Sequence, residues 1–319
     1  MPLEPVRPIT INDIESARER IRGVITRTPL VRLLHGIDGA PEIWLKLENL
    51  QPINAFKLRG AANAVALLSP EDRAKGVWTI SAGNAGQGVA YAAREAGVPC
   101  TVLVIDKAPE TKIERMRNLG ATLIKAPFDA CWQAMDDRAY PGIEGTFVHP
   151  FDDHDFIAGN ATCGLEILED LPNVKTVIAA IGGGGLVAGI GSAMRAVAPH
   201  VRVLGAEPET AAPGSKSFAA GAPQVFETWE ASFVDGVGGK SIFPRMWDRM
   251  KDTVDGAVVV TLEEVKQAMK LVASKSRVIA EGAGALGVAA ALKEKEGPVV
   301  AVVSGGNIDL KKFCEIVTA

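Results

Sequence analysis

In the segment INAFKLRGAANAV, Lys57 opens a stretch of apolar residues at helical spacing, directly after Phe56 and two residues before Arg59. Partial desolvation and a neighbouring cation both lower a lysine pKa and favour the free amine, the form that attacks carbonyl groups. Most helical lysines are solvated surface residues, so this reading depends on what surrounds it. Gly182, Gly183, Gly184 and Gly185 follow an apolar strand pattern and open a helical one. Bare amides at a helix N-terminus form a phosphate cradle, whereas a merely tight turn needs one or two glycines. Two more polar, Gly-rich loops follow strand patterns: SAGNAGQG at 81–88 and SGGN at 304–307. Three such loops imply a ligand with several distinct polar or anionic groups.

A competing pattern overlaps the tetraglycine. Gly183, Gly185 and Ala188 fit G-x-G-x-x-A, and Glu207 ends the next strand pattern, where a dinucleotide-binding fold places its ribose carboxylate. That supports an NAD-dependent oxidoreductase but leaves 81–88 and 304–307 without a role. His35, His149, His154 and His200 form no H-x-x-x-H or H-E-x-x-H pattern, and no G-x-S-x-G elbow occurs. His149 and His154 flank PFDD and read as loop residues, with Asp152 and Asp153 solvated or capping in a polar turn. The four cysteines, Cys100, Cys131, Cys163 and Cys314, lack C-x-x-C spacing and read as reduced, mostly buried thiols.

The elements that must position these loops alternate in type. After an amphipathic helix at about 11–24, short apolar runs at 77–80, 100–105, 121–126, 176–181, 201–207, 258–260 and 298–303 are followed by turns and helical patterns. This is the signature of parallel strands joined by crossover helices, an α/β fold whose ligands lie at strand ends. The length of 319 residues favours two units at ~150 residues per domain. Residues 76–147 hold their own strand–helix run closed by YPGIEGTFVHPFDD, which predicts a small mobile domain inserted between 1–75 and 148–319 of a large one. With 47% hydrophobic and 23% charged residues, disorder is excluded. A net charge of −4 without basic clusters excludes a nucleic-acid partner. The polar N-terminus and the lack of any apolar run of roughly 18 residues argue for a cytoplasmic protein with no membrane partner.

Taken together, RTPL (27–30), LKLENLQPINAFKLRGA, SAGNAGQG, PFDD (150–153), GGGGL, AEPE (206–209), EGAGA (281–285) and SGGN resemble the pyridoxal phosphate enzymes of fold type II. This is the tryptophan synthase β family, and the similarity is to its serine/threonine dehydratase branch, in order and spacing across nearly the whole chain. The resemblance implies a two-lobed, three-layer αβα architecture with parallel-rich sheets and pyridoxal 5'-phosphate as cofactor. On that pattern Lys57 carries the cofactor as a Schiff base and acts as the catalytic base, Phe56 packs beside the ring, and Asn84 meets the 3-hydroxyl. Gly182, Gly183, Gly184, Gly185 and Leu186 form the phosphate loop, and Ser304 meets the pyridine nitrogen. Ser81, Ala82, Gly83, Asn84 and Ala85 form the substrate carboxylate loop. Glu281 reads either as a substrate-pocket carboxylate or as an acid favoured at a helix start.

The implied activity is β-elimination of a 3-hydroxy amino acid such as L-threonine or L-serine, giving a 2-oxo acid and ammonia. A serine hydroxyl is too weak an acid to keep a pyridine nitrogen protonated, so long-lived negative charge at Cα is disfavoured and elimination is favoured. Departures from the branch's pattern shape the expectation. Ala82 stands where its racemases have a proton-donating serine, which disfavours racemisation. Ala85 stands where many threonine enzymes have histidine, Asn160 where glutamine is common, and 233–241 differs from the usual loop. A 3-hydroxyaspartate or phenylserine dehydratase is the alternative, ahead of a racemase, an oxidoreductase or a silent amino-acid-binding protein. Relatives hold a monovalent or divalent cation through a glutamate, a carbonyl and a further oxygen; Glu207 and Ala211 match the first two, and Pro213 lacks the third. Glu207 reads otherwise as a strand-end cap. The branch also implies a homodimer. The end at VTA leaves no room for a regulatory domain and fits a short-form enzyme.

Overall fold

A computed structural model describes residues 5–318. Met1 to Glu4 and Ala319, the outer ends of the expected large domain, lie outside the described residues. In chain order the elements begin with α1 (Ile11–Ile21), β1 (Leu30–Leu33), β2 (Ile43–Lys46), α2 (Lys57–Ala66) and α3 (Pro70–Lys75). There follow β3 (Val77–Ile80), α4 (Asn84–Ala96), β4 (Cys100–Ile105), α5 (Glu110–Asn118), β5 (Thr122–Ala126), α6 (Phe128–Asp137) and β6 (Thr146–Phe147). Next come α7 (His154–Asp170), β7 (Thr176–Ala180), α8 (Gly185–Val197), β8 (Arg202–Pro208), α9 (Pro213–Ala220) and α10 (Pro244–Met250). The chain closes with β9 (Gly256–Val260), α11 (Leu262–Ser276), α12 (Gly282–Ala291), β10 (Val299–Val302) and α13 (Leu310–Thr318).

Two sheets result. The larger runs β1-β2-β10-β7-β8-β9 and the smaller β5-β4-β3-β6. Every pairing is parallel except β1 with β2. The central strands are unbroken apolar runs because both faces are covered. Along β10, Val300 and Val302 join the core beneath α7 and α8, while Val299 and Ala301 join the core beneath α11 and α12, as a period of two requires. In the smaller sheet Val77, Val102 and Val104 pack under α4, and Trp78, Ile80 and Leu103 pack under α6. Both sheets are therefore sandwiched between helices, the α/β layering that the strand patterns implied.

Capping fixes where key helices start. Asp153 accepts from the Phe156 amide to begin α7, and Thr261 with Glu264 closes a capping box at α11. The helix α2 packs against both α4 and α7, so Leu58, Ala61 and Val65 share one core with Val77 and Val89 of the smaller sheet. The residue that opens α2 thus lies where the two sheets' helical layers meet.

Candidate active site

Lys57 is the first residue of α2, and its position is fixed by stitching to the end of β10. Asn54 takes a left-handed φ of 58°, which asparagine tolerates better than most residues, and its carbonyl accepts from the Gly306 amide at 2.9 Å. Ala55 bridges Gly305, and the Phe56 amide donates to the Ser304 carbonyl at 3.0 Å. The Lys57 Nζ donates to the Pro150 carbonyl at 2.5 Å and lies 5.2 Å from the Phe56 ring and 5.4 Å from the Phe156 ring. Burial pulls its pKa down to about 8.

The sequence offered Arg59 as a second cause of that shift, and the structure corrects this. Positions i and i+2 do not face each other on a helix. Arg59 is fully buried elsewhere, donating to Glu48 at 2.7 and 2.8 Å and to Glu166 at 2.8 and 2.7 Å. Lys46 joins Glu166 at 2.5 Å, so two cations meet two carboxylates and the cluster is neutral overall. Desolvation alone acts on Lys57.

The tetraglycine occupies the end of β7 and the start of α8, with Gly184 as N-cap at φ 86°. A Cβ on Gly183 would lie 2.2 Å from the Phe151 ring, and one on Gly184 would lie 2.7 Å from the Met250 sulfur. The loop is therefore walled closely by Phe151 and Met250, with no room for side chains at Gly183 and Gly184. The first-turn amides of a helix have no intrahelical acceptor, so the geometry fits a phosphate group. Leu186 is buried in the core behind, and Asn160 Nδ2 donates to the Gly185 carbonyl at 3.3 Å. That places Asn160 behind the glycine loop. Val237 and Gly236, from the divergent 233–241 segment, close against Gly182.

The third loop and the smaller sheet complete the ring. Ser304 is buried at the end of β10, its hydroxyl making, among the described residues, only a long 3.4 Å contact with the Ala283 carbonyl. Asn84 opens α4; its Nδ2 donates to Glu281 Oε1 at 2.7 Å and its Oδ1 accepts from Asn307 Nδ2 at 2.8 Å. Glu281 is the N-cap of α12, without a side-chain cap bond, and its carboxylate accepts from Asn84, so its place agrees with both sequence readings. Ser81 Oγ accepts from the Gly83 amide at 3.1 Å, shaping the turn that carries half-buried Ala82 and buried Ala85. Lys57, Phe56, Asn84, Ser304, Glu281 and the glycine loop are thus joined through direct contacts or shared walls.

Glu207 and Ala211 stand apart. Both Glu207 oxygens accept amides, from Gly214 at 2.8 Å and Ser215 at 2.7 Å, so this carboxylate caps α9 as the alternative reading had it. Burial raises its pKa to about 7. A carboxylate committed in this way is not presented to a ribose, which removes the main support for the oxidoreductase reading. Among the described residues no group of three or more His, Cys, Asp or Glu is placed to hold a metal.

The HPFDD turn, which the sequence offered only as part of the resemblance and as a polar turn, carries roles that the sequence reading did not assign. Pro150 supplies the acceptor for Lys57, and Phe151 walls the glycine loop. His149 is buried, with Nδ1 accepting from the amides of Phe151 and Asp152 at 3.3 and 2.9 Å, and burial pushes its pKa down to about 3. Asp152 is not solvated as expected: it is buried among Arg138, Arg245 and Arg249. Only the density of polar residues around Pro150 hinted at this in the sequence.

Residues 21–305 match the family profile described as pyridoxal-phosphate dependent enzyme. The chain is 40% identical over 316 residues to the L-threonine ammonia-lyase of Thermotoga maritima, covering 97% of this chain and 78% of that one. It is 35% identical to a catabolic L-threonine dehydratase of Staphylococcus aureus, over 99% of this chain and 94% of the other. Among solved structures, the serine racemase of Dictyostelium discoideum superposes with a TM-score of 0.85 at 33% identity, over 95% and 99% of the two chains. The processed form of threonine deaminase isoform 2 from Solanum lycopersicum gives 0.85 at 29% identity, over 100% of this chain and 97% of that one.

Proposed function

The chain belongs to the pyridoxal-phosphate dependent enzymes, and from that premise we propose that it is a dehydratase (ammonia-lyase) acting on L-threonine or L-serine. The observation that carries this reading is the half-buried Lys57 amine, drawn down to about 8 and aimed at the Pro150 carbonyl, within a ring of three Gly-rich loops. The curated relatives named as threonine ammonia-lyase and threonine dehydratase support the substrate class.

Gly182 to Gly185, with Leu186, would hold the cofactor phosphate, Ser304 its pyridine nitrogen and Asn84 its 3-hydroxyl, with Phe56 beside the ring. Pyridoxal phosphate, when bound, supplies the electron sink that makes the substrate Cα proton acidic. Lys57 takes that proton, because an amine with a pKa near 8 is partly free base at neutral pH. The loop from Ser81 to Ala85 opens α4 and directs amides at the substrate carboxylate. The Cα–H and Cβ–O bonds break, the β-hydroxyl leaves as water with the proton that Lys57 took from Cα, and the released enamine tautomerises to an imine whose C=N bond water hydrolyses to the 2-oxo acid and ammonia. Ala82 has no transferable proton for the face opposite Lys57, so racemisation is not the proposed activity despite the likeness to a serine racemase. Glu207's commitment to two amides leaves the cation out of this proposal.

The proposal extends to a cytoplasmic homodimer, which sedimentation velocity and cell fractionation test, and to residues 76–147 as a mobile unit. No helix among the described residues is long and apolar enough to cross a membrane. The activity is tested by 2-oxo acid formation from L-serine, L-threonine, L-threo-3-hydroxyaspartate and L-threo-phenylserine. Turnover of threonine or serine is expected. Turnover confined to one of the other two replaces the substrate, and no product from any of them removes the reading.

A further inference from the structure

Asn307 closes the SGGN loop after β10 and has no part in the reaction proposed above. It is half-buried, and its side-chain amide is engaged at both ends. Nδ2 donates to the Ile53 carbonyl and to Asn84 Oδ1, both at 2.8 Å. Oδ1 accepts from Arg115 Nη1 at 2.5 Å, and Asn54 Nδ2 lies 3.5 Å from the same oxygen. Three elements therefore meet on one side chain: the turn that leads into α2, the start of α4, and α5.

An amide side chain turned end for end exchanges its donor and its acceptor, so its surroundings decide which way it stands. Around Asn307 two groups have no choice, because a backbone carbonyl only accepts and a guanidinium only donates. Ile53 thus holds the Asn307 nitrogen and Arg115 holds its oxygen. The second N–H of that nitrogen meets Asn84, which must present its own oxygen. Asn84 Nδ2 is then turned the other way and donates to Glu281 Oε1 at 2.7 Å. Arg115, Asn307, Asn84 and Glu281 form one chain in which every step runs from donor to acceptor, and such bonds polarise one another. Gly305 leaves the room for it: a Cβ there would lie 2.2 Å from Glu281 Oε1 and 3.3 Å from Asn84 Nδ2. Glu281 takes one N–H of Asn84, and the other has no acceptor among the described residues.

We propose that Asn307 is a positioning residue, which fixes the amide of Asn84 so that its nitrogen, and not its oxygen, is offered to the 3-oxygen of bound pyridoxal phosphate. Arg115 holds Asn307 in turn. The inference rests on Asn84 meeting that oxygen, as proposed above. An anionic 3-oxygen is stabilised by a donor and repelled by an amide oxygen, so the direction of this chain decides whether Asn84 helps or hinders.

The test reads the absorption spectrum of the protein saturated with pyridoxal phosphate, at one pH and without substrate. The proton of the cofactor's Schiff base sits either on the imine nitrogen, which gives a visible band, or on the 3-oxygen, which gives a near-ultraviolet one. A donor on the oxygen keeps it anionic and favours the visible band. Asn84→Ala should raise the ratio of the near-ultraviolet to the visible band about tenfold, the worth of one hydrogen bond to a charged group. Asn307→Asp keeps the side chain's size but presents only acceptors to Ile53 and Asn84, so the Asn84 amide turns over and the ratio should rise by about threefold or more. Asn307→Leu leaves Asn84 Oδ1 without its donor and should move the ratio the same way, which keeps the test where Asn307→Asp fails to fold. A ratio raised by Asn84→Ala but unmoved by both Asn307 variants would overturn the proposal, as would loss of cofactor from both of them while Asn84→Ala retains it. A ratio unmoved in Asn84→Ala would overturn it by removing its premise. Since no turnover is read, either failure leaves β-elimination to be judged by 2-oxo acid release.

Discussion

In the proposed reaction Lys57 carries most of the chemistry, and its environment makes a prediction independent of turnover. Its amine loses its proton at about 8 in the folded chain and at its ordinary 10.5 when unfolded, because burial disfavours the charge. The unfolded chain therefore binds more protons between these values, and stability rises with pH across that window. Below pH 8 the cofactor-free protein carries the full penalty, at most about 3 kcal/mol. Cofactor-free Lys57→Met is expected to be more stable than the parent at pH 7, by urea denaturation, with the advantage fading towards pH 10.5. A variant no more stable than the parent at pH 7 would show that the amine is not desolvated. The sequence made Lys57 legible because its apolar neighbours lie beside it in the chain. It misplaced Arg59, whose partners Glu48 and Glu166 come from elements far from it in the chain.

At the scale of elements, two contacts position the site. The Gly183 loop exists in its present shape because Phe151 fills the space a side chain would need. Gly183→Ala should weaken cofactor affinity by about tenfold or more, the equivalent of a modest overpacking cost, and Phe151→Leu in the same chain should restore part of it. Equal affinity in parent and single variant would mean that the loop does not grip the cofactor. Beneath α2, Arg59 holds Glu48 and Glu166 in a buried cluster. Arg59→Met leaves Lys46 on Glu166 and only the neutral donors Thr28 and Gln51 on Glu48 among the described residues, and is expected to cost about 3–5 kcal/mol by denaturant unfolding. A loss under about 1 kcal/mol would mean that water enters and solvates the cluster. The glycine turns and the strands β3 to β5 and β7 to β10 were readable here because buried parallel strands are continuous apolar runs ended by loops, whereas β1, β2 and β6 were not among the runs read. The HPFDD turn was not, because its roles arise from what packs on it: Lys57, the glycine loop and three arginines that follow or precede it by many residues.

For the whole molecule, the site is built from both sheets. Asn84 of the smaller sheet's first helix bonds Glu281 and Asn307 of the larger unit, and Arg115 of α5 donates to Asn307 at 2.5 Å. A ligand held between the units should restrict both. Hydrogen exchange across 81–88 and α5 is expected to slow when pyridoxal phosphate binds, since binding stabilises the folded arrangement that holds it by mass action. Protection confined to the glycine loop would contradict a shared site. The layering of helices on parallel sheets was legible in the alternation of patterns along the chain. How the units meet was not, since that contact is made by single polar side chains rather than by a periodic face.

The central claim is that Lys57 performs β-elimination with a bound cofactor. It is tested most directly by comparing the parent and Lys57→Ala, each reconstituted with pyridoxal phosphate, for 2-oxo acid released from L-threonine and L-serine. The parent should form 2-oxobutyrate or pyruvate with equimolar ammonia, and the variant should form neither while remaining folded. Elimination that persists in Lys57→Ala without added amine, or a parent that releases no 2-oxo acid from either substrate, would contradict the account.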